Sequence, residues 1–169
     1  MLVTASGDVG PIALSGTTVA YPYADGSPEW NTVRITKDGA TRTAARSEWS
    51  EGMINWAALS GRHLAYVDQS RQQNDGSMDV LWRVWAVDLK DESRTLLASN
   101  GDTPDPFVPT VDGGGGFFFW SQAEKDRSAA EFAWRPGWQE PRSLLRYAVL
   151  APGSETFCRN GVVYLGPNG

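Results

Sequence analysis

Two short segments of this sequence bring together acidic and aromatic side chains that could bind a ligand. RSEWSEG carries Glu48, Trp49 and Glu51, and NGDTPDP carries Asp102 and Asp105. Carboxylates beside an indole ring could hold a cation, a sugar or a peptide through charge and stacking. Solvated charge and turn-forming aspartates are the simpler interpretation of the same residues. The acids of NGDTPDP do not follow the EF-hand spacing, so a calcium site is not predicted.

Three other residues carry side chains capable of chemistry. Trp56 lies in a predicted strand, where it either faces a ligand or fills the core. His63 is the single histidine, and we expect it to be an exposed strand residue. Cys158 is the single cysteine, so it cannot form an intrachain disulfide, and we expect a small buried hydrophobic residue. The residues expected to bind a ligand are therefore Trp49, Glu51, Trp56, Asp102 and Asp105.

The sequence contains no known catalytic constellation. It has no G-x-S-x-G elbow, no H-E-x-x-H pair and no phosphate loop. The glycine run at residues 113–116 precedes a predicted strand and not a helix, so it does not predict an anion site. We therefore expect no catalytic residues, no metal site and no cofactor, and a role that is not enzymatic.

Charge and hydropathy narrow the class of partner. The net charge of −5 disfavours a nucleic-acid surface, which needs clustered Lys and Arg. No apolar run approaches the length of a membrane-spanning helix, and no signal peptide is visible at Met1. We expect a protein without a transmembrane segment, either cytoplasmic or in a mature form.

Two sequence motifs recur in the same order along the chain. The first motif ends on an aromatic residue, as SGTTVAY and SGRHLAY do. The aromatic residues that end its copies, which we call the aromatic marks, are spaced 45, 54 and 44 residues apart, at Tyr21, Tyr66, Trp120 and Tyr164. The second motif is an arginine followed by Thr or Ser, at Arg42, Arg94 and Arg142. Units of 40 to 50 residues with several short strands are typical of β-propellers, whose blades are four-stranded antiparallel meanders.

The segments between these marks are predicted to be strands. LWRVWAVDL alternates, so Trp82, Val84 and Ala86 should share one face and Trp85 and Val87 the other. The inner strands are predicted at PIAL, MINWAAL and FVPTV, with tight hairpins at DG (38–39) and NG (160–161). The predicted fold is all-β, a single propeller or partial-propeller domain over residues 1–169. Its three whole blades cover about 10–46, 53–99 and 106–150, with partial blades at both ends, the second at about 154–166.

The segment AALSGRHLAYVDQ, followed by WRVWAVDLKDESRTLLA, resembles the blades of TolB-like and WD-type propellers. The Ser-Pro-Asp-Gly turn typical of those blades is replaced here by Leu-Ser-Gly and by a glycine run. The resemblance implies a docking scaffold of the bacterial envelope or a secreted protein, or a cap on a separate hydrolase. The expected function is a binding module that recognises a protein or small ligand at the propeller mouth. The alternatives are the propeller part of a prolyl-oligopeptidase-type hydrolase or lyase, and a glycan-binding lectin.

The repeats also predict burial and closure. The strand that ends on each aromatic mark should be buried, at Val19, Tyr21, Leu64, Tyr66, Phe118, Trp120, Val162 and Tyr164. The three marked arginines should be exposed on the outermost strands, where charge protects a sheet edge. Three whole blades are fewer than a usual ring, so we expect a second copy of the chain or a missing partner segment to complete it.

Overall fold

The computed structural model describes residues 9–71, 79–123, 129–147, 156–159 and 162–165, with 145–147 and the last two ranges described by their backbone. All regular structure in these residues is β-strand: β1 Ala13–Ser15, β2 Thr18–Tyr23, β3 Thr32–Lys37, β4 Ala40–Arg46, β5 Met53–Ser60, β6 His63–Gln69, β7 Trp82–Asp88, β8 Arg94–Ser99, β9 Val111–Gly114, β10 Phe117–Ala123, β11 Ala129–Trp134, β12 Arg142–Tyr147, β13 Thr156–Arg159 and β14 Val162–Leu165. None of the described residues forms a helix that could cross a bilayer.

Twelve of these strands form three four-stranded sheets, β1–β4, β5–β8 and β9–β12. Every pairing between consecutive strands is antiparallel, so each sheet is a meander. This confirms the all-β fold of propeller-type blades. The last described strands, β13 and β14, pair with each other, and the described sheets do not close into a ring. The predicted partial blade at the N-terminus falls on residues 1–8, outside the described part.

Tight turns join neighbouring strands where the sequence predicts them. Gly16 and Gly61 have φ of 58° and 61° between the first and second strands of their sheets. Asp38 and Gly39 have φ of 51° and 84° between β3 and β4. Residues with positive φ suit the two-residue hairpins that match strand twist. The predicted NG hairpin at 160–161 lies outside the described residues.

Two hydrophobic cores hold the three sheets together. The first core joins the first and second sheets: Ala20, Val33, Ile35, Ala45, Ile54, Leu59, Leu64, Tyr66 and Val87. The second core joins the second and third sheets: Ala58, Ala65, Val67, Trp82, Val84, Ala86, Leu97, Val111, Phe118, Trp120 and Trp134. Val87 belongs to one core, while Trp82, Val84 and Ala86 belong to the other. The predicted alternation of β7 is therefore confirmed.

Burial is confirmed for most of the residues predicted to be buried in the strands that end on the aromatic marks. Tyr21, Leu64, Tyr66, Phe118 and Trp120 are buried, whereas Val19 is half-buried. Nothing is described for the side chains of the last two positions, Val162 and Tyr164. The arginine prediction is confirmed as well, because Arg42, Arg94 and Arg142 are exposed on β4, β8 and β12, the outer strands.

The incomplete burial of Val19 has a cause in the neighbouring strand. Val19 pairs with Leu14, and Leu64 pairs with Leu59 at the same register of the second sheet. Leu59 is 3% exposed because the first sheet packs on it, whereas Leu14 is 70% exposed. The outward face of the first sheet thus leaves a large apolar side chain uncovered.

The third sheet places a glycine at this register, because Gly113 pairs with Phe118. A Cβ atom on Gly113 would lie 2.8 Å from the carbonyl oxygen of Leu59, so the second and third sheets approach closely there. The inner strand predicted at FVPTV (107–111) is displaced, because β9 runs from Val111 to Gly114 and includes only the last residue of that segment. Pro109 lies within the predicted segment and has no N–H to donate to a neighbouring strand, which disfavours a strand there.

We expect Gly113→Ala to lower the free energy of unfolding by about 1 to 3 kcal/mol, because the new methyl group has no space against Leu59. Gly114→Ala is the matched control. No atom lies within 4 Å of its Cβ position, and neither glycine has a positive φ. That control should leave stability unchanged or raise it by up to about 1 kcal/mol. Urea denaturation followed by tryptophan fluorescence measures both, and equal effects would contradict the close approach.

Candidate ligand-binding site

Two connections lead from the outer strand of one sheet to the inner strand of the next. Residues 47–52 join β4 to β5, and residues 100–110 join β8 to β9. We call the end of the sheets that carries these two connections the loop end. Four of the five residues predicted to bind a ligand lie in these connections, and the fifth, Trp56, lies on the inner strand β5.

A carboxylate shared by two arginines fastens the first connection to the second sheet. Oε2 of Glu48 accepts a hydrogen bond from Arg83 at 2.6 Å, and Oε1 accepts one from Arg94 at 2.6 Å. Each arginine also stacks on a tryptophan, with Arg83 4.6 Å from the ring centre of Trp49 and Arg94 4.3 Å from that of Trp85. Because exposed pairs gain from networks and from stacking, this cluster holds the connection in one place.

Asp68, at the loop end of β6, also binds the first connection. Its Oδ2 accepts the backbone N–H of Glu48 at 3.0 Å, and its Oδ1 is buried without a hydrogen-bond partner in the described residues. Burial raises the pKa of this carboxyl from 3.8 to about 6, although hydrogen bonds from Ser47 and Glu48 oppose the shift. The hydroxyl of Tyr66, two residues earlier, is also buried without a hydrogen-bond partner among the residues the structure describes, and burial raises its pKa above the usual range.

The first connection places its two predicted residues differently. Trp49 is half-buried beneath Arg83, and its backbone carbonyl accepts the N–H of Gly52 at 3.1 Å. Glu51 is exposed, and its carboxylate accepts a hydrogen bond from Arg71 at 2.7 Å. The ring of Trp49 is therefore held in one position, whereas Glu51 places a solvent-exposed carboxylate at the edge of the connection.

The second connection carries the two predicted aspartates. Asp102 is exposed in a turn. Asp105 is half-buried, and its backbone forms a two-way bridge with Val80 at 3.1 Å for each hydrogen bond. Its Oδ1 accepts the backbone N–H of Phe107 at 2.7 Å. This aspartate thus shapes the turn, as the simpler interpretation of the sequence predicted.

Trp56 is 39% exposed, although most neighbours on β5 are half-buried or buried. It pairs with Val67 across the strands, beyond a bulge between Ile54 and Trp56. Val67 belongs to the second core, so Trp56 lies on the face toward the third sheet, into which residues 100–110 lead. Among the described residues, none of the five predicted side chains makes a hydrogen bond, ion pair or ring contact with another.

Sequence reasoning did not identify the buried carboxyl of Asp68 or the arginines that bind Glu48. An acid directly after the run LAYV in a predicted buried strand was the available signal. The prediction that His63 is exposed is wrong. Its side chain is 15% exposed, and its Nε2 lies 3.4 Å from Oδ2 of Asp88, which is on the neighbouring strand β7.

The described residues contain no group of three or more His, Cys, Asp or Glu side chains that could hold a metal ion. No protein-family model matches the chain, and no characterised protein matches it in sequence. Among solved structures, it is similar to a chain from a structural and mechanistic analysis of two prolyl endopeptidases, at 13% identity and a TM-score of 0.31 over 88% of this chain. Our chain spans 29% of that chain's length. The fold assignment rests on the three sheets themselves, because a similarity this weak supports no conclusion about activity.

Proposed function

We propose that this chain is a TolB-like propeller module that binds a protein or a small ligand at its loop end and has no catalytic role of its own. The observation that carries the proposal is Trp56. A large indole that is 39% exposed on an inner strand is available for stacking, and aromatic residues are enriched at binding surfaces. The proposed binding surface comprises Trp49, Glu51, Trp56, Asp102 and Asp105.

The anchoring of residues 47–52 supports this surface. Glu48 is bound by Arg83 and Arg94, and its backbone N–H is bound by Asp68, so the position of Trp49 next to it is fixed before any ligand arrives. A preorganised aromatic group loses little conformational entropy on binding. The exposed carboxylates of Glu51 and Asp102 would then select ligands with cationic or hydroxyl groups.

We further propose that residues 1–169 form a single domain, and that a sheet from outside it completes the ring on the outward face of the first sheet. The support is Leu14, which is 70% exposed at the register where Leu59 is 3% exposed under a neighbouring sheet. The occupant we propose is a second copy of the chain or a partner segment. Ile12, two residues earlier, is 64% exposed as well, and exposed apolar side chains that lie close together mark contact surfaces.

The binding proposal is tested by probing peptide and glycan arrays with the purified chain and with Trp56→Ala. Peptides that bind the wild type should lose at least about tenfold in affinity with the variant, since one hot-spot aromatic residue contributes that much. Leu144→Ala is the matched control, because it removes an exposed apolar side chain from the outer strand β12.

Peptide binding that is insensitive to Trp56→Ala, or equally sensitive to Leu144→Ala, would contradict the proposed surface. If the chain binds glycans and no peptides, and Trp56→Ala abolishes that binding, the ligand is a carbohydrate and not a protein.

A further inference from the structure

A groove lies between the second and third sheets, at the end opposite to the loop end. Three hairpin turns form it: residues 60–63 between β5 and β6, residue 116 between β9 and β10, and residues 135–138 between β11 and β12. Its volume is about 520 Å³, within the range of sites that hold small ligands. The groove is separate from the binding surface proposed above.

Glycines leave the backbone of this groove accessible. Gly61, Gly116 and Gly137 have φ of 61°, 85° and 90°, which these tight turns require. No atom lies within 4 Å of the position that a Cβ would take at any of the three. A ligand in the groove can therefore approach the main chain of all three turns.

Two arginines line the groove, and they differ in their partners. Arg62 donates a hydrogen bond to Oδ2 of Asp88 at 2.8 Å, and His63 lies 3.4 Å from the same oxygen. Arg135 is exposed and has no ion pair within the described part of the chain. Asp88 is thus engaged by two groups from the turn at 60–63, which leaves the guanidinium of Arg135 available.

Aromatic rings hold Arg135 in place. Its guanidinium lies 5.3 Å from the ring centre of Trp138 and 5.5 Å from that of Phe117. Phe117 and Trp138 contact each other edge to face at 5.7 Å, and Arg142 stacks on Trp138 at 4.1 Å. Both distances from Arg135 lie within the range of cation–π attraction, which uses none of the N–H groups of the guanidinium as hydrogen-bond donors.

We propose that this groove binds a carboxylate group of an acidic peptide. The planar N–H groups of Arg135 match the two oxygens of a carboxylate, with the cation of Arg62 nearby. Trp138 and Pro136 provide an apolar wall for the peptide chain. The chain as a whole carries a net charge of −5, whereas the groove presents the guanidinium of Arg135, which pairs with no carboxylate among the described residues and can therefore attract an anion locally.

The test is calorimetric titration of the full chain with triglutamate at low ionic strength. We expect saturable binding that weakens as salt is added, because the contact is exposed. Arg135→Gln should weaken it at least about tenfold, as loss of a charged hydrogen bond does. Arg46→Gln is the matched control, because it removes one positive charge from an exposed arginine that pairs with Asp25 in the first sheet, and it should bind like the wild type.

Further ligands identify the group that is bound. Triglutamate with an amidated C-terminus reports side-chain carboxylates alone, and triglutamine with a free C-terminus reports the terminal carboxylate alone. At least one of them should retain binding that depends on Arg135. The proposal is overturned if triglutamate does not bind saturably, if Arg135→Gln binds it like the wild type, if Arg46→Gln loses as much, or if inorganic phosphate binds equally well.

Discussion

Replacing Tyr66 with alanine is expected to lower the free energy of unfolding by about 3 to 5 kcal/mol, the usual cost of removing a large buried aromatic side chain. Tyr66 is 0% exposed and lies in the core between the first and second sheets, with Ile54, Leu64 and Val87. The cavity would open between two sheets, each fixed by its own hydrogen bonds, so it cannot collapse easily. Urea denaturation of the wild type and the variant gives the difference.

Tyr66→Phe is the control for this substitution. The hydroxyl is buried and has no hydrogen-bond partner in the described residues, so its removal should leave stability unchanged or slightly raised. A cost below about 1 kcal/mol for Tyr66→Ala would show that the register of β6 is wrong. A cost above about 1 kcal/mol for Tyr66→Phe would show that the hydroxyl has a partner.

Asp68→Asn is expected to stabilise the chain by up to about 3 kcal/mol above pH 6, and to have little effect near pH 4. Burial raises the pKa of Asp68 from 3.8 to about 6. Between these values the unfolded chain releases the proton while the folded chain keeps it, so the wild type loses stability as the pH rises. Each pKa unit corresponds to about 1.4 kcal/mol, which gives the expected total. Asparagine keeps an oxygen to accept the N–H of Glu48 without carrying the charge.

Denaturation of both chains at several pH values between 3.5 and 8 measures this effect. Asp102→Asn, which removes a negative charge from an exposed turn, is the control and should not change the pH dependence. A difference between wild type and Asp68→Asn that stays constant across this pH range would contradict the buried, shifted carboxyl.

The sequence predicted the blades because their information is local and repeated. Side chains alternate along a strand, so the pattern of Trp82, Val84 and Ala86 fixes which face of β7 is buried. The repeated motif then places Tyr66 and Trp120 at equivalent positions on the second strands of successive sheets. Turn residues such as Asp38 and Gly39 mark where the strands reverse, because few residues adopt positive φ.

The arrangement at the loop end could not be predicted in the same way. Glu48 meets Arg83 and Arg94 across 35 and 46 residues, and these contacts depend on how one sheet sits on the next. The close approach of the second and third sheets at Gly113, where a Cβ would lie 2.8 Å from the carbonyl oxygen of Leu59, leaves no trace in hydropathy. The groove near Arg135 arises from three separate turns, so only the packed sheets reveal it.

The second sheet contributes to both cores, with Leu64 and Tyr66 on one side and Ala65 and Val67 on the other. In a linear stack, the stability of each member is its own plus a term from every neighbour that it touches. The middle sheet receives two such terms. Its backbone amides should therefore exchange with solvent mainly through global unfolding, whereas the first sheet can open by itself from the side that carries Leu14. As long as no partner covers the face of Leu14, we therefore expect stability to be graded along the chain, higher in the second sheet than in the first.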